Sequence, residues 1–162
     1  MSEIQRIIDQ LEREHEGDPW HGSPLRAILN GINATRAAAA PIAGAHSIWE
    51  IVLHVTGWKN EVARRLTGAP AGEPADGDWP AVGQVSEARW MQALERLEAA
   101  HRNLVAGVNA LPDQRLFEPT NDQRDRALGV GVSYYVLLHG IVQHDVYHAG
   151  QIALLKKAEA TV

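Results

Sequence analysis

The sequence predicts an all-α protein, a four-helix bundle with long loops between its helices. Four segments repeat apolar residues at spacings of three and four, which is the period of an amphipathic helix. No segment shows the strict alternation of apolar and polar residues that is typical of a strand. Helices with one apolar face each bury those faces against one another, and 162 residues suffice for one core, so we expect a single domain over residues 1–162.

The first helical segment is expected in two parts. One part runs from about Ser2 to Glu16 and ends at Gly17-Asp18-Pro19. Ser23-Pro24 then predicts a restart, because a serine cap followed by proline is typical of a first helical turn. The apolar period continues from there to the alanine run, which ends at Pro41. The apolar positions of both parts are Ile4, Ile7, Ile8, Leu11, Leu25, Ile28, Leu29 and Ile32.

The second helix is predicted from His46 or Ser47 to Leu66, where Thr67-Gly68 ends it. Its apolar line is Ile48, Ile51, Val55, Trp58 and Val62. Residues 68–85 follow and are rich in glycine, proline, alanine and aspartate, without periodicity. A loop of this length in a compact domain is usually a lid, a binding loop or disordered.

The third helix is predicted from Ser86 to Leu111, before Pro112. A second polar loop covers residues 113–131 and leads into the last helix. The stripe of that helix is Tyr134, Leu137, Ile141, His144, His148, Gln151 and Leu155. Loops this long leave room for crossover connections, so the order of the helices in the bundle stays open.

Composition excludes several kinds of chemistry. The chain has no cysteine, which excludes disulfides, thiolate metal ligands and a cysteine nucleophile. The formal net charge is −5 and the basic residues are scattered, which argues against a nucleic-acid partner. The N-terminal residues lack the apolar core of a signal peptide, and no apolar run approaches the roughly 20 residues that span a bilayer. We therefore expect no membrane association, and a location in the cytoplasm is compatible with the composition.

Two histidines four residues apart are the strongest local signal. His144 and His148 occupy one face of the last helix, where their Cβ atoms would lie about 5–6 Å apart, and they fall on its apolar stripe. A pair alone is more often two core histidines bonded to neighbouring groups. His54, beside the apolar line of the second helix, changes that balance. Three imidazoles from two facing helices predict a metal site with at least one open position.

A zincin site is the alternative that the motif suggests, since HDVYH differs from HExxH only by Asp145 in place of glutamate. A zincin needs a further ligand well downstream, and only 14 residues follow His148. Leu154, at the position of the third metzincin histidine, is aliphatic. The zincin interpretation is therefore rejected.

Two residues are candidates for a catalytic role. Glu50 precedes His54 by four residues, so it could orient a ligand, accept a proton or be a fourth ligand. An exposed helical carboxylate is an equally good interpretation. Gln151 lies on the ligand stripe and could hydrogen-bond a ligand, or pack as an ordinary amide. His101 occupies an apolar position of the third helix, where a core histidine is the favoured interpretation over one that faces the site.

Several other residues are left without an assigned role. Trp79 could plug an apolar pocket or close over a ligand, and His46 and His21 could line a cavity mouth or serve only in capping and loop packing. Asp145 and Tyr147 are expected on other faces of the last helix than the histidine pair.

Two segments carry a resemblance to a known family. HSIWEIVLHVTGW (residues 46–58) and HGIVQHDVYHAGQI (residues 139–152) resemble the two signature helices of the DinB-like, or YfiT-like, metal-binding superfamily. The first helix of that family donates one histidine, and the last donates an HxxxH pair followed by G-Q-[IL]. The matching residues here are His54, His144, His148, Gly150, Gln151 and Ile152.

The resemblance covers essentially the whole chain and has several implications. It implies a left-handed or crossover four-helix bundle, one divalent ion bound by the three histidines, and a homodimer. Nickel or zinc is the expected ion, with iron or manganese as alternatives. The family includes transferases and isomerases that use bacillithiol or mycothiol, and proteins described as metal-dependent hydrolases.

We therefore expect metal-dependent chemistry on a small molecule. The ion would act as a Lewis acid, activating either water for hydrolysis or a low-molecular-weight thiol, and a nearby carboxylate or the thiol itself would handle the proton. The sequence does not choose between these two reactions. The alternative is a non-catalytic metal-binding stress-response bundle, whose closed site would use Glu50 or His101 as fourth ligand. A third possibility is that the histidines bind no metal.

Overall fold

The computed structural model describes residues 1–122 and 132–158, and this part of the chain is helical. Its helices are α1 (Glu3–His15), α2 (Leu25–Leu29), α3 (Ala34–Ala38), α4 (Ile48–Leu66), α5 (Glu87–Ala110), a 3-10 helix (Asp113–Phe117) and α6 (Tyr134–Ala158). Within these ranges the β-structure is a single isolated bridge between Pro119 and Ser133. None of the described helices is both long enough and apolar enough to cross a membrane.

Four of the helices form a bundle. Helix α4 packs beside α5 and α6, and α1 packs against the same two helices from the opposite corner. The short helices α2 and α3 cover one end, where α2 contacts α6 and α3 contacts α4 and α5. The prediction of an all-α four-helix bundle is confirmed.

The segment after Pro24 is not one helix, and this corrects the sequence interpretation. Helix α2 ends at Leu29, and Gly31 follows with a φ of 77°, a left-handed conformation that favours glycine. The side chain of Asn33 then accepts a hydrogen bond from the main-chain nitrogen of Arg36 and caps α3. The apolar period continues across this turn because Ile32 is buried within it.

Local capping sets where α4 begins. The Ser47 side chain accepts from the main-chain nitrogen of Glu50, and the Glu50 carboxylate accepts from the main-chain nitrogen of Ser47, which together form a capping box. Helix α4 therefore starts at Ile48, in agreement with the prediction, and His54 lies two turns into it.

A layer of polar side chains divides the core into two apolar clusters. One cluster surrounds Trp49 and Trp90, and the other surrounds Leu104 and Leu138. All four bundle helices contribute to this polar layer, which consists of the buried residues Glu14, His15, Lys59, His101 and Asp145. Its contact with the histidines of α6 is described below.

The two segments that were predicted as long loops are residues 68–85 and 113–131. Residues 68–85 form no helix, and their central part packs over α4. The loop predicted over residues 113–131 contains the 3-10 helix, and its part from 123 to 131 lies outside the described residues.

Candidate metal centre

The structure brings together the three histidines that were predicted as ligands. His54 comes from α4, and His144 and His148 lie one turn apart on the adjacent α6. One nitrogen from each ring lies within 4.8 Å of the other two, so the group could hold a metal ion. His54 and His148 are buried, and the His144 side chain is 25% exposed.

The three rings point toward a common centre. The His148 ring is tilted by 71° from His54 and by 69° from His144, and the His54 and His144 planes differ by 36°. The Nε2 atoms of His54 and His144 are 3.0 Å apart. Two nitrogens that share an ion at about 2.0–2.1 Å each can be this close, so the spacing fits a common ligand site.

Hydrogen bonds at Nδ1 hold each ring in place. Each Nδ1 faces an oxygen: His54 donates to the main-chain oxygen of Asp78 at 2.7 Å, His148 to Oε1 of Gln151 at 2.6 Å, and His144 to Oδ1 of Asp145 at 3.3 Å. These oxygens only accept, so Nδ1 carries the hydrogen and Nε2 keeps its lone pair. Such partners fix the tautomer and the orientation of metal-binding histidines.

The site favours neutral imidazoles. Burial lowers the pKa of His54, and this outweighs the opposing effect of its hydrogen bond to Asp78. Burial, reinforced by the neighbouring His144, lowers the pKa of His148 to about 4. The Nε2 atoms of His54 and His144 lie 3.0 Å apart, and a cation bound beside both could take the lone pair of each. The residues therefore fit a divalent metal ion.

A second group of buried side chains also has atoms that can bind metals, but its geometry does not suit a metal ion. Glu14, His15 and His101 are buried and also bring one atom each within 4.8 Å of the others. Their two imidazoles stack at 3.8 Å with only 7° between the planes, so lone pairs in those planes run parallel and do not converge. The ammonium of Lys59 already lies 3.1 Å from Glu14 Oε1 and 3.4 Å from His101 Nδ1. His101 is thus a buried core histidine, as favoured from the sequence.

Asp145 connects the histidines to the polar layer. Oδ1 faces His144 Nδ1, and Oδ2 accepts from the Nζ of Lys59, with both Asp145 and Lys59 fully buried. Burial alone would raise the pKa of Asp145, but Lys59 and His144 lower it to about 2. Burial would lower the pKa of Lys59, but Asp145 and Glu14 raise it. The lysine and aspartate therefore stay charged as a pair.

Sequence reasoning missed this support for His144. Asp145 was expected on a different face from the histidine pair and was given no role. The available signal was a charge at a buried position, since Lys59 lies between the apolar Val55 and Val62 of the same helix stripe. A charged residue at such a position needs a partner on a neighbouring helix.

The two candidate catalytic residues lie in different surroundings. Gln151 contacts the triad directly through His148 Nδ1. Oε2 of Glu50 accepts from the main-chain nitrogen of Ser47 at 2.7 Å and from its hydroxyl at 2.9 Å, so this oxygen takes part in the helix cap. A catalytic role for either residue stays a prediction.

The loop between α4 and α5 covers one side of the triad. The Trp79 ring stacks on His54 at 3.8 Å and on His46 at 3.6 Å, with nearly parallel planes in both pairs. Asp78 fixes the loop, because its carboxylate accepts from Trp58 Nε1 at 2.8 Å while its main-chain oxygen accepts from His54. This arrangement corresponds to closure over the site rather than to the plugging of a separate pocket.

The remaining aromatic and histidine side chains are peripheral. Tyr147 is exposed and touches the edge of the His148 ring, with centroids 5.1 Å apart. His21 is exposed, and His139 packs on Tyr135 away from the triad.

Comparison with known proteins gives a family and a similar fold. The DinB superfamily matches residues 20–152 of the chain. The crystal structure of a conserved protein from Enterococcus faecalis is similar, with a TM-score of 0.73 and 14% sequence identity, over 98% of this chain and 97% of that chain. At this identity the likeness shows the fold alone. No curated protein matches the sequence significantly.

Proposed function

This chain belongs to the DinB superfamily, and from that membership together with the histidine geometry we propose that it binds one divalent metal ion through His54, His144 and His148. The observation that carries the proposal is the pair of Nε2 lone pairs held 3.0 Å apart by hydrogen bonds at the opposite ring nitrogens. Rings oriented in this way by partners at the opposite nitrogens form a preformed ligand set for a cation. Three imidazole ligands suit nickel or zinc, with iron and manganese as alternatives.

The proposed activity is chemistry on a small molecule, either hydrolysis or transfer of a low-molecular-weight thiol. The ion, when bound, would supply Lewis acidity for either reaction. The chain orients the ligand rings and shields them with Trp79, while the partly exposed His144 leaves an approach from solvent.

The two residues considered as a fourth ligand are both engaged elsewhere, which supports an open metal site over a closed, purely structural one. A closed sphere would need Glu50 or His101. The Glu50 carboxylate caps Ser47, and His101 lies in the polar layer beside Lys59. The proposal also includes a homodimer, on the basis of the family resemblance, and a location in the cytoplasm, with which the absence of cysteine is compatible.

Elemental analysis tests the metal site. We expect about one equivalent of a divalent metal in the purified, untagged protein and its loss in His148→Ala. His101→Ala is the matched control, because it also removes a buried histidine but leaves the triad complete, and it should keep the metal. Wild-type protein that holds no metal after reconstitution with nickel or zinc would disprove the proposal.

The response of cobalt-substituted protein to a thiol tests whether a thiol can bind the ion, which the transfer reaction requires and hydrolysis does not. If a thiol is the cosubstrate, 2-mercaptoethanol should produce a near-ultraviolet charge-transfer band that His148→Ala does not give. Absence of the band in metal-loaded wild-type protein would favour hydrolysis and direct the search to ester and amide substrates.

A further inference from the structure

An apolar cleft lies beside the triad, in the groove between α4 and α6. Its volume is about 300 Å³. The cleft is lined by Trp58 and Val62 of α4 and by Val136, Gly140, Ile141 and His144 of α6, among others. His144 therefore belongs both to the candidate metal centre and to the wall of the cleft, so the two lie side by side along the same groove.

The described wall of the cleft offers no free charge to a ligand. Arg65 lines it, but its Nε donates to Glu61 at 2.8 Å and one terminal nitrogen donates to the main-chain oxygen of Gly72 at 2.7 Å. The other lining side chains are mainly aliphatic or aromatic, and Val136 is 56% exposed at the rim. This surface would gain from burying an apolar group and has no free cation to bind an anion.

Gly140 keeps the cleft open next to the metal ligand. It lies one turn before His144, and a Cβ atom added there would meet nothing within 4 Å. Gly140 is itself exposed, so a larger side chain at this position has room, and part of that room is the cleft that it lines. Glycine in the interior of a helix is destabilising relative to alanine, and its missing side chain leaves this part of the cleft wall open.

From this geometry we infer that the cleft binds the apolar part of the substrate whose reacting group lies at the triad. The inference rests on the proposed metal site and specifies its substrate class. The substrate carries a metal-binding polar group at one end and an alkyl or aryl group at the other. The volume lies at the lower limit of ligand pockets, so the apolar group is small.

Alkyl hydroxamates of increasing chain length test the inference, because they present a constant metal-binding head and a variable apolar tail. Calorimetric titration of metal-loaded protein should show the dissociation constant falling by about two- to fourfold for each added methylene from acetohydroxamate onward, until the cleft is full. The readout is binding and needs no knowledge of the reaction.

Gly140→Leu should abolish the dependence on chain length while acetohydroxamate still binds and the metal content stays unchanged. Asn103→Leu is the matched control, since it adds the same side chain at an exposed position of α5, which contributes none of the described cleft residues, and it should behave like wild type. Gly140→Ala fills less of the space and should give an intermediate dependence, which covers the case in which the leucine variant fails to fold.

The experiment distinguishes a failure of the cleft inference from a failure of the proposed metal site. If acetohydroxamate binds the metal-loaded wild-type protein but longer chains bind no better, the cleft inference is wrong and the metal site stands. If the chain-length dependence persists in folded Gly140→Leu, the tail binds elsewhere and the inference is also wrong. If the protein takes up no metal, the proposed function fails and the inference fails with it.

Discussion

At the scale of single residues, the orientation of the three histidine rings depends on the groups that their Nδ1 atoms contact, on the side away from the ligand centre. The three Nδ1 partners differ in kind: a main-chain oxygen, a carboxylate and an amide. The amide of Gln151 makes the shortest of these bonds, at 2.6 Å, and holds His148 alone. This contact can be removed without disturbing the charges in the core.

Gln151→Ala should therefore weaken metal affinity by about 10- to 100-fold, which is the usual effect of removing such a partner. Gln151→Glu keeps an acceptor and should retain most of the affinity. Competition with a chromophoric chelator measures the change, and Gln143→Ala, at an exposed position of the same helix, serves as the control. Equal affinity of Gln151→Ala and wild type would show that the amide does not position His148.

At the scale of elements, the loop between α4 and α5 is ordered by its contacts with α4. Asp78 bonds to both His54 and Trp58, and Trp79 stacks between His46 and His54. The Trp79 side chain is 37% exposed, so its main contribution is to the site and not to the core.

Trp79→Ala should accelerate metal removal by EDTA by about two- to tenfold, the range that corresponds to one aromatic contact of about 0.5–1.5 kcal/mol. The thermal midpoint of the metal-free protein should change little. Stopped-flow or manual mixing with excess EDTA measures the rate. Trp20→Ala removes a fully exposed tryptophan and should have no effect, and a Trp79→Ala rate equal to wild type would contradict a shielding role.

Much of the fold and part of the site followed from the sequence, for identifiable reasons. Apolar periodicity locates α4, α5 and α6 because their buried stripes span many turns, and the spacing of His144 and His148 places two candidate ligands on one face. The break at Gly31 was missed because buried residues continue through the turn. The main-chain oxygen of Asp78 could not be found, since its loop has no periodicity and the contact arises only from packing.

At the scale of the whole molecule, the polar layer joins all four bundle helices at one level. Lys59 bridges Glu14 of α1 and Asp145 of α6, while His101 of α5 stacks on His15. The positive charge of Lys59 balances the negative charge of ionised Asp145. Ionisation of Glu14 as well would leave the layer with an excess negative charge. Burial and the nearby Asp145 accordingly raise the pKa of Glu14 to about 8, against the opposing effect of Lys59.

This shift predicts a loss of stability with rising pH. The folded protein retains a proton on Glu14 up to about pH 8, whereas the unfolded chain releases it near pH 4.5, so the stabilisation is complete below pH 4.5 and disappears as the pH rises through 8. His15 and His101, whose pKa values are lowered mainly by burial, act in the opposite sense below about pH 6.5. The urea midpoint of wild type should therefore fall between pH 6.5 and 8.5.

Glu14→Gln keeps a neutral side chain of similar shape, and it should flatten the decline in this range. Glu16→Gln, which replaces an exposed carboxylate directly after α1, should leave the decline as in wild type. Urea denaturation at four or five pH values is sufficient. A wild-type midpoint that does not fall between pH 6.5 and 8.5 would mean that Glu14 is ionised in the folded protein.

The stacking of Trp79 on His54 has an optical consequence. An indole whose ring centroid lies 3.8 Å from that of a candidate ligand would be close to an ion bound there, and paramagnetic nickel or cobalt would quench its fluorescence. Trp49 and Trp90 lie in an apolar cluster, whereas Trp79 is partly open to solvent. The fluorescence of Trp79 therefore has a different emission wavelength from that of the two buried tryptophans. The native protein therefore carries its own fluorescent reporter, and occupancy of the histidine triad can be followed without a label.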